Sequence, residues 1–260
     1  MRSPFWGDIT IRSPYPYIQK SISYGDEEVQ KIYFTLPEGK KDFPLVIWLH
    51  GGGLSGGNRC FPLDLWNGVY GSAEIRYRVS DGKNCTALDA LADTVSAVVC
   101  ILKNRKELLF DPAKVFIGGI SAGAYLAAMT AMNPAFLGEY GYSHTLFAGI
   151  LLVSGQMTTH FQLKKDLRYP GEKYQPVIDQ YAPMYYASKE ISPVIFITGE
   201  SGLDLPGRPE ENAFMAASLR ALGHKHVEYY TLPGHKHSVT FESCDYLLLQ
   251  FMNKICDDKK

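Results

Sequence analysis

The chain has 260 residues, of which 46% are hydrophobic and 20% charged, and its formal net charge is −1. That length fits a single domain over 1–260 with one core. The mixed, near-neutral charge excludes the basic field that nucleic acid or an anionic membrane surface would require. Residues 1–17, rich in Pro and aromatics, are expected to form an extended arm. Two β-rich runs follow, 17–24 and 31–36, separated by Gly25-Asp26, and they predict an antiparallel edge. Strands are then expected at 45–49, 73–79, 114–117, 148–153, 194–198 and 227–232, alternating with helices. Thr86 caps a helix whose apolar face carries Leu88, Leu91, Val95, Val98, Val99 and Leu102 and which stops near Phe110-Asp111-Pro112. Further helices are expected over 124–132, 210–222 and 241–255. Apolar strands alternating with helices imply a parallel sheet covered on both faces. The segment 156–192 has no clear period but many aromatics, and a lid or cap is expected there. No run approaches the roughly 18 apolar residues of a membrane span. The first residues lack a signal-like apolar stretch, so a cytoplasmic protein is expected, with its five cysteines as free thiols.

Two glycine-bearing motifs carry the chemistry. His50-Gly51-Gly52-Gly53 follows the apolar run 45–49, and Gly119-Ile120-Ser121-Ala122-Gly123 sits between a β-rich run and a helix former. A serine lifted on a strand-to-helix turn has the form of an acyl-transfer nucleophile. Gly119 and Gly123 flank Ser121 where a sharp turn leaves no room for Cβ atoms; a plain helix cap would not need both. The glycine loop can offer the N–H groups of Gly52 and Gly53 to a developing oxyanion, and Ala122 adds a third at the helix start. His50 precedes the turn and reads as a loop-ordering residue. A general base is expected just past the last strand, where His235 and His237 compete and His237 is preferred. The acid should follow the strand 194–198. Counting from Gly199 reaches Gly202, whereas counting back from Gly223 reaches Asp204, with Glu200 as the alternative.

Together these residues resemble the α/β-hydrolases of the carboxylesterase type. Within that superfamily the chain is similar to the HGGG-bearing group of hormone-sensitive-lipase-like and bacterial carbohydrate esterases. The resemblance runs from about Tyr17 to the C-terminus, through Leu49–Gly53, Tyr77-Arg78, Gly119–Gly123 and Gly234–His237. The segment Gly207–Asn212 is similar to the carbohydrate-esterase branch. This implies an α/β-hydrolase fold, a mostly parallel sheet of about eight strands covered by helices with a small lid-like insertion. It also implies a triad of Ser121, Asp204 and His237, an oxyanion site of Gly52, Gly53 and Ala122, and no metal or organic cofactor. The acid turn is longer than the family pattern, and Ser238 stands where a glycine often follows the histidine.

The expected function is a serine carboxylesterase acting on short-chain acyl or aryl esters, carbohydrate esters included, through an acyl-enzyme. The expected partner is a small-molecule ester, with neither nucleic acid nor membrane involved. The alternatives are an amide-cleaving relative, aminopeptidase-like or formamidase-like, and a non-catalytic binding protein of the same fold.

Overall fold

The computed structural model describes residues 13–257, so most of the arm expected over 1–17 lies outside the described residues. In chain order come β1 (Tyr17–Ser23), β2 (Lys31–Pro37), β3 (Phe43–Leu49) and β4 (Gly71–Ile75). Next are α1 (Ala87–Lys103), the single turn α2 (Arg105–Leu108), β5 (Phe110–Ile120), α3 (Ala122–Met132) and α4 (Pro134–Gly138). The second half holds β6 (Gly149–Val153), α5 (Phe161–Asp166), β7 (Val194–Thr198) and α6 (Arg208–Ala221). It closes with β8 (Val227–Thr231), α7 (His237–Thr240) and α8 (Asp245–Asp257).

The eight strands form one sheet in the order β1-β2-β4-β3-β5-β6-β7-β8. β1 and β2 make the antiparallel edge, β2 meets β4 antiparallel, and every pairing from β4 to β8 is parallel. Because side chains alternate along a strand, each central strand feeds two cores. Ile47, Leu49, Ile117, Ile150, Leu152 and Phe196 pack with residues of α1, α3 and α6 on one face. Val46, Trp48, Phe116, Leu151, Val153 and Ile197 pack with Leu248, Phe251 and Met252 of α8 on the other. No helix among the described residues is long and apolar enough to cross a membrane.

Several boundaries differ from expectation for local reasons. β4 covers 71–75 rather than 73–79, because the residues after Ile75 are committed elsewhere. The Arg78 guanidinium grips Asp93 through Nε and Nη2, and the Tyr77 hydroxyl donates to the His50 carbonyl at 2.6 Å. α1 begins at the expected cap, where the Asp89 carboxylate accepts from the Thr86 N–H at 2.8 Å. It ends at Lys103, and after α2 the left-handed Leu109 turns the chain into a strand that starts already at Phe110. The helix expected over 241–255 begins later: residues Phe241–Ser243 form a single 3-10 turn after α7, and α8 runs from Asp245 to Asp257.

The register places the site. Leu49 pairs with Gly119, and Gly119 with Leu152. The loops leaving β3, β5 and β6 therefore emerge side by side at the carboxyl edge of the sheet, where open α/β folds hold their ligands.

Candidate active site

Ser121 occupies the turn between β5 and α3 with φ 55° and ψ −116°, a conformation that costs a non-glycine residue about 1–3 kcal/mol. Its N–H donates to the Val153 carbonyl at 2.7 Å, which ties the turn to the neighbouring strand. The flanking glycines are required sterically. A Cβ on Gly119 would lie 2.5 Å from the Leu49 carbonyl oxygen, and one on Gly123 would lie 2.0 Å from the same atom. α3 can start directly above β3 only because neither residue has a side chain.

From Ser121 a chain of hydrogen bonds runs to Asp204. The hydroxyl lies 2.9 Å from His237 Nε2, and His237 Nδ1 lies 2.6 Å from Asp204 Oδ1. With Nδ1–H donating to the carboxylate, Nε2 is left free to accept from the serine, a tautomer fixed by the network. Burial pushes the Asp204 carboxyl up, but hydrogen bonds from His237 and Ser154 outweigh it and hold the group at about 2. The Gly199 and Leu205 N–H groups donate to the same carboxylate at 2.9 and 2.7 Å. Asp204 is thus anionic at neutral pH and rigidly aimed.

The two competing candidates stand elsewhere. The Glu200 carboxylate accepts from the Gly234 N–H and so fastens the loop that carries the histidines. The His235 ring bonds to the Pro233 carbonyl at 2.8 Å and the Ser243 hydroxyl at 3.0 Å. Ser154 is a participant that the sequence reading did not single out. Its hydroxyl donates to Asp204 Oδ2 at 2.6 Å and lies 3.0 Å from His237 Nδ1. The only signal for it in the sequence is its place just after β6, next to the strand that leads into Ser121.

The glycine loop folds back on itself beside the serine. Gly52 and Gly53 have φ 124° and 64°, and a Cβ on Gly52 would fall 2.1 Å from the Gly56 carbonyl oxygen. Both residues line the same cavity as Ser121 and His237, of about 590 Å³. Among the described residues no hydrogen bond from the N–H groups of Gly52, Gly53 or Ala122 to a protein acceptor is seen; Gly52 and Gly53 line the cavity, and Ala122 directly follows Ser121 at the start of α3. His50 orders this loop from behind. It stacks on Tyr77 at 4.2 Å and its Nδ1 bonds to the Gly51 carbonyl at 2.7 Å. Burial pushes its imidazole down to about 4, so it stays neutral.

The segment 156–192 is anchored to the body by polar contacts. Glu211 of α6 accepts from the Met157 N–H at 2.8 Å and the Thr158 hydroxyl at 3.0 Å. Within the segment, Asp179 accepts from the Thr159 and Tyr169 hydroxyls, each at 2.6 Å. Of the segment's aromatic rings, Phe161 lines the Ser121 cavity, whereas the Tyr169 hydroxyl is used within the segment and the Tyr186 hydroxyl donates to the Gln180 carbonyl and accepts from Asn133 of the body.

Residues 31–144, which include the glycine loop and Ser121, match the family model described as BD-FAE. No curated protein matches the chain. Among solved structures, esterase 2 of Thermogutta terrifontis phosphonylated by sarin aligns with a TM-score of 0.76 at 19% identity. That alignment covers 91% of this chain and 95% of the other. The chain has the α/β-hydrolase fold. A bacterial heroin esterase aligns with this chain at a TM-score of 0.72 and 21% identity, over 95% of this chain and 85% of that one. A bifunctional GH43-CE protein of Bacteroides eggerthii gives 0.75 and 18%, over 92% of this chain but 35% of the larger protein. The resemblance to esterases of this fold, expected from the motifs, is borne out.

Proposed function

We propose that the protein is a serine carboxylesterase that hydrolyses short-chain acyl or aryl esters, carbohydrate-borne esters among them. The observation that carries this reading is the unbroken Asp204–His237–Ser121 hydrogen-bond chain ending at a hydroxyl in an open cavity. In this reading His237 Nε2 takes the Ser121 proton as Oγ attacks the ester carbonyl carbon. The negative charge moves to the former carbonyl oxygen, where the Gly52, Gly53 and Ala122 N–H groups receive it. His237 then gives its proton to the leaving alcohol. In the second half it takes one from the water that attacks the acyl carbon and returns it to Ser121 Oγ as the C–Oγ bond breaks and the acid leaves. Asp204 stays ionised throughout and stabilises the imidazolium.

The neighbours lend support at the level of substrate size and reactivity. Esterase 2 of Thermogutta terrifontis is known with propionate and with butyrate bound, and phosphorylated by paraoxon. The test is labelling by a fluorophosphonate together with hydrolysis of p-nitrophenyl acetate, butyrate and octanoate. Wild type should label at Ser121 and turn over the shorter esters. Ser121→Ala should keep the fold, escape labelling and lose at least about 10³-fold in kcat. Cleavage of a matched anilide faster than the ester would favour an amidase, and an unlabelled, inert wild type would favour a binding protein.

A further inference from the structure

Phe161 and Ser55 separate the active cavity from a second one of about 550 Å³, and both residues line each cavity. The second cavity has a different lining. Lys164, Lys165 and Lys173 stand against a single acid, Glu172.

Lys164 is the informative residue, because it is 6% exposed. Its ammonium donates to the Glu172 and Gln175 backbone carbonyls. An ammonium has three N–H groups, and among the described residues the third finds no partner and no carboxylate pairs with the charge. Carbonyl oxygens solvate a cation without cancelling its charge, so Lys164 presents an uncompensated positive charge to the cavity it lines. Burial pushes the Lys164 ammonium below its ordinary value, opposed by the charge of Glu211. That carboxylate is itself committed to Met157 and Thr158. A second cation, Lys173, lies 4.5 Å over the Phe161 ring, at the boundary between the cavities.

We infer that the second cavity is a subsite for a carboxylate carried by the ester substrate beyond Phe161, with Lys164 and Lys173 supplying the countercharge. This rests on the esterase reading and narrows its substrate class to anionic esters.

The test compares charged and neutral partners on each side of the ester bond. On the alcohol side the pair is p-acetoxybenzoate and p-acetoxybenzamide. On the acyl side it is mono-p-nitrophenyl glutarate and p-nitrophenyl pentanoate. In at least one pair the anion should lead by about tenfold in kcat/KM, and that lead should shrink as ionic strength rises. In Lys164→Met the ratio should fall to about one. Should that variant not fold, the exposed Lys173→Gln should lower the ratio by about threefold. A ratio of one or below in both pairs of the wild type overturns the subsite. A separate arm does not depend on turnover: calorimetric binding of p-hydroxybenzoate, p-hydroxybenzamide and glutarate to Ser121→Ala. There at least one anion should bind about tenfold more tightly than the amide, and equal binding overturns the subsite too. Failure to hydrolyse all four esters, with the anions still bound more tightly, would instead remove the esterase reading and leave the subsite standing.

Discussion

At the scale of single residues, the site divides into what a local motif announces and what only the fold assembles. Ser121 is visible in the sequence because its own neighbours must be glycine. Asp204 is visible only by counting back from Gly223, since the turn after β7 is long enough to offer Glu200 first. Asp204→Asn keeps the size of the side chain but removes the charge that pairs with the imidazolium. It should lower kcat by roughly 10³- to 10⁴-fold, while Glu200→Gln should cost at most about tenfold. Steady-state rates on one p-nitrophenyl ester separate the two, and equal losses would mean that the geometry around His237 misreports the acid. Ser154 tests a finer point. Ser154→Ala removes a donor from Asp204 Oδ2 and should lower kcat about tenfold, with KM nearly unchanged. A rise in KM alone would instead assign Ser154 to substrate binding.

At the scale of elements, the tightest constraint is the contact between the start of α3 and the end of β3. Gly123→Ala would drive a methyl group into the Leu49 carbonyl, and backbone cannot step aside as a flexible side chain can. We expect about 2–3 kcal/mol of destabilisation in urea titrations, with activity lost in the protein that remains folded. An unchanged midpoint with full activity would show that α3 can tilt freely. Element types were readable from apolar periodicity, and the boundaries were less so. The stretch Arg76-Tyr77-Arg78 has strand-like composition, but Asp93 and the His50 carbonyl, both distant in sequence, draw it out of the sheet. The same holds for Lys164, which reads as one charge among several in a polar helix and is buried only because 172–175 folds across it.

For the whole molecule, the titrating groups predict how stability depends on pH. The His50 imidazole is held at about 4 against 6.5 when free, and burial also pushes His160 well down. The unfolded chain therefore binds protons that the folded chain refuses, and stability falls as pH drops from about 6.5 towards 4. For His50 alone the loss is up to about 3 kcal/mol. Asp204 acts lower. Its carboxyl is depressed from 3.8 to about 2, so its contribution is complete above 3.8 and is lost as pH falls through about 2. That contribution is about 2 kcal/mol. Unfolding free energies measured from pH 7 to pH 2 should show both declines, and His50→Gln should reduce the upper one. A flat profile down to pH 4 would mean that the imidazoles are hydrated in the folded protein.

The order of the strands has a further consequence, for the time at which the site comes into being. Ser121 and His237 are 116 positions apart, and their meeting needs β5, β6, β7 and β8 aligned in parallel. Parallel pairings of this kind close long loops before any contact repays them, which makes them slow. No fragment ending before α7 carries the imidazole at all. On the proposed reading, a growing chain therefore carries Ser121 early and stays inert until its last strand and histidine arrive. Recovery of hydrolysis after dilution from denaturant should accordingly follow the slowest spectroscopic phase rather than the bulk return of helix.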